Sequence, residues 1–453
     1  MGANPSQKSF TRQKRLVKRG LIPTKKNMAL ITQLDTDVSS RFFQPLRQVY
    51  PKTEARYVCH AISDLDYAVL GILRCMSHAK TGHEFLQHHI DHGREGTTVD
   101  HLFKALKSGR RLANLTSLNA ELGEVMKETV ADPFQGLEEL KGFDFYAADG
   151  HYQKAACFDP KPTVEGESRV ATGHFFQLNL RTDHVDHLDL SRPTDGKKKE
   201  HDMTVIKRTE VKTWRNGAKV GRTVLIAWDK ACIDYAQWDY LKHRAIYFVT
   251  QEKINSAATQ ISTDITDRSD PRNEGVVSDY FVGRGNGPQL RRVVYTDPRD
   301  GTTYTYITNE LTLPAWAIVL VYKQRWNIEK VFYQFKSKME ERKSWASSEE
   351  AKQAHGVFEC LTHNLALLFE LELKQREGIK DEVESKKQEK REPHLKNRAG
   401  TAMKKAGNFI NEIMRKATHR TQRFIRWLRV ALYREVPWHD AVARLAEIWG
   451  RKC

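Results

Sequence analysis

The stretch TVLIAWDKACIDYAQWDYLKHRAIYFVTQ, residues 223–251, decides how this chain is read. It begins with an apolar run that ends on a carboxylate, Asp229. A segment with apolar residues at helical spacing follows (IDYAQWDYLKHR), and a second apolar run, AIYFVTQ, closes it. Short β-branched and aromatic runs on either side of a helical period predict strand, helix, strand. Upstream, FDFYAAD (143–149), HFFQLNLRT (174–182) and HVDHLDL (184–190) are further β-like runs, and EHDMTVIKRTEVKTWRNG (200–217) is helical. Three strands, a helix, a strand, a helix and a strand is the order expected of a mixed α/β sheet.

The flanks differ in character. From about residue 30 to 130 the apolar spacing is helical, as in TVDHLFKALKSGRRL and LNAELGEVMKETV, which predicts a small helical domain with basic spots at Arg110 and Arg111. Residues 253–312 are rich in Ser, Thr, Asp, Gly and Pro and contain a hairpin-like RRVVYTDPRDGTTYTYIT, which predicts a β-containing insertion. From Thr312, with Pro314 at its start, one long helix is expected to about Met339, and a second apolar helix, GVFECLTHNLALLFELELK, packs behind it. Residues 376–392 are a mixed-charge linker, and 396–434 hold eleven Lys or Arg against one acid. The domain division is therefore a basic arm at 1–30, a helical domain at 31–135, an α/β domain at 136–375 and a basic helical region at 376–453.

The 453 residues carry a net charge of +17 with a pI near 9.4. Eight Lys or Arg and no acid fall within residues 1–27. An excess of this size points to a polyanionic partner, because each neutralised phosphate releases condensed counterions. An anionic membrane surface is the plainer alternative for the basic C-terminal helix. No run of about 18 apolar residues and no signal-peptide core occurs, so a soluble, cytoplasmic protein is expected. Six scattered cysteines without a CxxC pair fit a reducing compartment.

Two aspartates close apolar strands, Asp149 after FDFYAA and Asp229 after TVLIAW. A carboxylate at a strand tip is held rigidly yet reaches solvent, which suits a two-metal site built from hard oxygen ligands. A third carboxylate, Glu329, comes from the expected helix in YKQRWNIEKVFYQFK (322–336). On that helix Tyr322, Arg325, Glu329 and Lys336 project to one side, beside an apolar stripe of Val321, Ile328, Val331, Phe335 and Met339. Arg325 and Lys336 are cations suited to holding a phosphate backbone beside an acidic metal site, and Tyr322 can bond a phosphate or pack on a sugar or base. The plainer reading is a surface helix in which Arg325 and Glu329 form an i,i+4 pair. His88 and His92 are also spaced i,i+4, although no second Cys completes a zinc pattern there.

The spacing Tyr322-x2-Arg325-x3-Glu329-x6-Lys336 resembles the Tyr-Arg-Glu-Lys signature of bacterial insertion-sequence transposases of the DDE type. The block after TVLIAWD, with Asp229-x-Ala231, is similar to that family's second-aspartate block, and AADGHY is the loosest match, with Asp144 and Asp159 as alternatives to Asp149. The resemblance covers about residues 140–375. It implies a ribonuclease-H-like fold with a β-rich insertion and Mg²⁺, with Mn²⁺ as the alternative ion, on Asp149, Asp229 and Glu329. It further implies cutting and joining of double-stranded DNA at terminal inverted repeats and a homodimer in the synaptic complex. A non-catalytic DNA-binding relative and a ribonuclease-H-like nuclease stay open as alternatives.

Overall fold

The computed structural model describes residues 37–53, 62–92, 97–161, 169–193, 199–253, 256, 258–284, 287–337, 339, 343–378, 422–433 and 437–450. The expected basic arm, most of the mixed-charge linker and the 396–421 part of the C-terminal basic run lie outside the described residues. The chain starts with Val38–Phe42 (α1), Gln44–Thr53 (α2), Asp64–Cys75 (α3), Gly82–Asp91 (α4), Val99–Leu106 (α5) and Gly109–Thr129 (α6). Asp37, Ser63, Thr81, Thr98 and Ser108 each accept a backbone N–H from the first turn of α1, α3, α4, α5 and α6. Such caps set where the helices begin.

The sheet follows, with Phe143–Gln153 (β1), Thr172–Asn179 (β2) and Val185–Leu190 (β3), then the short helices Asp202–Arg208 (α7) and Val211–Trp214 (α8). The opening stretch forms Thr223–Trp228 (β4), Tyr235–Lys242 (α9) and Ile246–Gln251 (β5), as its spacing predicts. Thr259–Gln260 (β6), Val276–Gly283 (β7), Leu290–Thr296 (β8) and Thr303–Thr308 (β9) come next. All nine strands join one sheet in the order β3-β2-β1-β4-β5-β9-β8-β7-β6. Only β1–β4 and β4–β5 are parallel. The insertion is therefore not a separate body, because β9 pairs antiparallel with β5 and carries the sheet onward.

Alternation along β4 sorts the core into two layers. Val224, Ile226 and Trp228 turn to one face, where they meet Trp214, Trp238 and Phe248 under α7–α9. Leu225 and Ala227 turn to the other face, against Ala315–Gln324 (α10), Trp326–Ser337 (α11) and Glu349–Arg376 (α12). The N-terminal helices and Gln422–Tyr433 (α13) share this second core, and Trp438–Gly450 (α14) closes it. α12 is buried along most of its length, with His355, Glu359, Thr362, His363 and Asn364 among its buried residues.

The single helix expected from Thr312 to Met339 is two helices. They meet at Arg325, where Arg325 N–H bonds the Tyr322 carbonyl and Ile328 N–H bonds the Arg325 carbonyl, at 3.0 and 3.1 Å. These i→i+3 bonds tighten the turn, each step rotating about 20° more than an α-helical step. Arg325 keeps helical dihedrals, φ −50° and ψ −36°, so the chain is overwound there.

One glycine docks the N-terminal layer onto α12. A Cβ on Gly71 would lie 2.1 Å from the Phe358 ring. Gly71→Ala is expected to lower stability by about 1–3 kcal/mol through overpacking. Thermal denaturation followed by circular dichroism reads the loss, and Phe358→Leu in the same chain should recover part of it.

Candidate functional site

The parallel register of β1 and β4 sets the first two carboxylates. Phe143 lies opposite Thr223, and the pairing runs to Ala147 opposite Ala227. Two residues further on, Asp149 and Asp229 fall level, on strands about 4.8 Å apart. By alternation Asp149 takes the face of Ala147, which α10–α12 cover, and Asp229 lies just past the end of β4. Glu329 sits in the first turn of α11. Arg325 ties the helices to the sheet, with Nη1 3.3 Å from Asp149 Oδ2 and Nη2 2.9 Å from Glu329 Oε1. Asp149, Arg325 and Glu329 are thus in direct contact, with Asp229 one strand away.

Tyr322 completes this group at the end of α10. Its ring lies 4.8 Å from that of Tyr306 and 5.8 Å from the Arg325 guanidinium. Burial raises its phenol above the usual range; Arg325 opposes this and Asp229 adds to it. Lys336 is exposed on α11, seven residues and about 10 Å of helix beyond Glu329. The alternatives to Asp149 are engaged elsewhere. Asp144, at the opposite end of β1, binds Arg222 at 2.9 Å, and Asp159 binds Lys352 at 2.9 Å and caps the Ala156 N–H at 2.8 Å.

A fourth carboxylate, Asp202, escapes the sequence reading. It opens α7 on the other side of the sheet, and its Oδ1 would lie 3.0 Å from a Cβ on Gly150. A side chain at position 150 would crowd that carboxylate. The His201-Asp202 pair at a helix start inside 200–217 is the sequence signal for it. Burial raises the Asp202 carboxyl, and Asp229 adds to this while His201 opposes it. Burial likewise pushes Asp149 up to about 7, with Arg325 pulling down, Asp202 and Asp229 pushing up, and the Gly150 N–H bond at 2.8 Å pulling down.

The sign of the resulting pH dependence is definite. Folded Asp149 holds its proton where the unfolded chain has lost it, so stability falls as pH rises from the ordinary carboxylate range through about 7. Between pH 6 and 8 the loss is roughly 1 kcal/mol. Urea denaturation of the protein in EDTA at the two pH values should show this slope, and Asp149→Asn should flatten it.

Asp149, Asp229 and Glu329 are hard oxygen donors of the kind Mg²⁺ takes. Among the described residues no three His, Cys, Asp or Glu side chains converge closely enough to hold a metal ion as they stand. The Arg325 guanidinium occupies the space between Asp149 and Glu329, and it must swing aside before these two share a cation.

Arg111 corrects an expectation. It is 4% exposed, donates to the Ile62 carbonyl at 2.7 Å and lies 4.8 Å over the Tyr67 ring, so it is a structural residue and not a surface DNA contact. Arg110 remains partly exposed but grips Asp64, with Nη2 2.8 Å from Oδ1. Two bulky arginines in sequence looked alike, while the helix turn sends one inward. In the histidine-rich segment the His88 and His92 rings lie 4.3 Å apart, and His78 receives the Arg429 guanidinium, a cation where a metal would need a donor.

Residues 178–365 match the family model described as Transposase DDE domain. The match includes Asp229 and Glu329 and begins beyond Asp149. A Sinorhizobium fredii (strain NBRC 101917 / NGR234) protein that bears the name of a transposase, y4zB, is 28% identical over 147 residues, which are 30% of this chain and 41% of that relative. The chain therefore matches less than half the length of that curated relative. Among solved structures, the cryo-EM structure of a piggyBac transposase synaptic complex with hairpin DNA aligns with 92% of this chain and 83% of its own, at 12% identity and a TM-score of 0.32. No helix among the described residues is long and apolar enough to cross a membrane.

Proposed function

We propose that the protein is a DDE-type DNA transposase that cuts and joins phosphodiesters at terminal inverted repeats. The observation that carries this reading is the convergence of Asp149, Arg325 and Glu329, one strand from Asp229, within a chain whose 178–365 segment matches a transposase DDE domain. We read the β3-β2-β1-β4-β5 part of the sheet as ribonuclease-H-like, with 253–312 as the family's β insertion extending it. The helical region at 31–135, the basic arm and the basic C-terminal residues are the proposed DNA-binding parts, and two copies are proposed to pair the element's ends.

Asp149, Asp229 and Glu329 would hold Mg²⁺ or Mn²⁺, which when bound activates the attacking oxygen and stabilises the leaving one. In the first step a water oxygen attacks phosphorus and the 3′-oxygen leaves, so that the cut yields a 3′-hydroxyl and a 5′-phosphate. In the second, that 3′-hydroxyl attacks a target phosphodiester and displaces its 3′-oxygen. Arg325, released from its two carboxylates, offers a bidentate fork to the scissile phosphate. Tyr322 and Lys336 extend the same strip along the strand. The proposed work of the chain is to place donors and cations on rigid strands and a helix, where positioning supplies much of the rate.

The test is an assay on supercoiled DNA carrying the sequences that flank this gene, with Mg²⁺ and with EDTA. Nicking at those ends only with the metal supports the proposal. Salt-sensitive binding without cleavage under Mg²⁺ or Mn²⁺ identifies a DNA-binding relative instead.

A further inference from the structure

Arg74 points to a second site. It lies near the end of α3, its guanidinium 4.3 Å from the Trp345 ring centroid and 5.6 Å from that of Phe103. Its Nη1 is buried without a hydrogen-bond partner, and among the described residues no carboxylate pairs with it. Burial pulls this guanidinium down to about 10. An enclosed charge ordinarily brings its counter-ion with it, because removing the hydration shell costs several kcal/mol.

Arg74 lines a cavity of about 730 Å³ bounded by α3, the start of α4, α5 and the segment 343–348 that leads into α12. The first turn of α4 faces this cavity with Thr81 and Gly82. A Cβ on Gly82 would lie 2.8 Å from the Phe103 ring and 3.6 Å from Arg74 Nη1, so glycine lets ring and guanidinium close on the helix start. Free N–H groups at a helix start favour an anion, and the orphaned guanidinium faces the same turn. Lys80, Lys107 and Lys343 add three cations to the lining. Its one carboxylate among the described residues, Glu359, is already held by Gln153 Nε2 at 3.1 Å. Phe158 stands at the cavity and is 91% exposed.

We propose that this cavity binds a nucleotide, with its phosphate on Arg74 and the α4 start and its base against Phe158. The volume suits one nucleotide, and cations beside a bare aromatic ring are the pairing that phosphate and base require. The same chemistry is presented by a 5′-phosphorylated strand end and by a free mononucleotide. A strand end has a route to it: Lys154, immediately after β1, bridges to Lys343, five residues and about 17 Å beyond Asp149. The proposal does not rest on the transposase reading, and its test needs neither metal nor cleavage.

The test is fluorescence anisotropy of 3′-labelled tetradeoxynucleotides with and without a 5′-phosphate, and of a fluorescent mononucleotide. It is run on the full chain in EDTA at about 0.3 M salt, which screens non-specific binding to the basic surface. The phosphorylated tetranucleotide or the mononucleotide is expected to bind, and which of them does identifies the source. Arg74→Gln should weaken that binding about tenfold, through loss of a charge-assisted bond. Phe158→Ala should weaken it about fivefold or more through loss of stacking. Circular dichroism checks that both variants are folded, and if Arg74→Gln is not, Phe158→Ala decides alone because its ring supports no core. Folded variants that bind as wild type overturn the proposal, as does a wild type that binds none of the probes or ignores the 5′-phosphate.

Discussion

Glu329→Gln is expected to leave the fold intact and to reduce metal-dependent strand cleavage roughly a thousandfold or more, as does Asp229→Asn. The carboxylates contribute little to packing, since Glu329 keeps a third of its side chain exposed and Asp229 lies just past the end of β4. What each substitution removes is a negative oxygen donor at a fixed position, which a neutral amide of the same shape does not replace. Combining the two should add little to either alone, because groups that act as a unit are lost as a unit. The measurement is the rate of nicking on supercoiled DNA bearing the element's ends, with DNA binding by gel shift as the control. Binding that persists while cutting disappears supports the proposed roles. Cutting by Glu329→Gln at the wild-type rate would move the third carboxylate elsewhere, with Asp202 the first position to examine.

Arg325→Met should destabilise the metal-free protein by about 2–3 kcal/mol and respond strongly to Mg²⁺. Arg325 is 9% exposed in its side chain and is the cation between Asp149 and Glu329. Above about pH 7, where Asp149 has lost its proton, removing it leaves two facing carboxylates without compensation, and breaking a buried pair is costly for that reason. Exposure of Glu329 to solvent keeps the figure below that of a fully buried pair. A divalent cation can take over the neutralising role, so Mg²⁺ should raise the thermal midpoint of Arg325→Met more than that of wild type. With Asp149→Asn and Glu329→Gln added, the penalty should largely vanish, which a mutant cycle reads as coupling. An Arg325→Met protein as stable as wild type in EDTA would mean that the bridge between helix and strand contributes nothing.

The local pattern of the chain was legible where periodicity speaks directly. Strand, helix and strand at 223–251 follow from alternation and spacing, and the helices before residue 130 follow from apolar residues at helical spacing. The Tyr322, Arg325, Glu329 and Lys336 strip was read as one side of a helix. The break at Arg325 was not, because an i→i+3 turn leaves no mark in hydrophobic spacing. The insertion was legible as β structure but not as part of the main sheet. Which edge a hairpin joins depends on a strand far away in sequence, here β5 receiving β9.

By itself the sequence determined the basic charge, the element order, the carboxylates at the strand ends and the spacing of the YKQRWNIEKVFYQFK strip. Those are properties of residues and their near neighbours, carried by periods of 2 and 3.6. Only the tertiary structure decided that Arg325 bridges Asp149 and Glu329, that Asp202 approaches Gly150 across the sheet, that Arg111 is a core residue and that Arg74 Nη1 is buried without a hydrogen-bond partner. Each of these joins residues brought together by strand pairing or helix docking over long sequence separations. Burial and charge compensation are set by those contacts, and no local pattern encodes them.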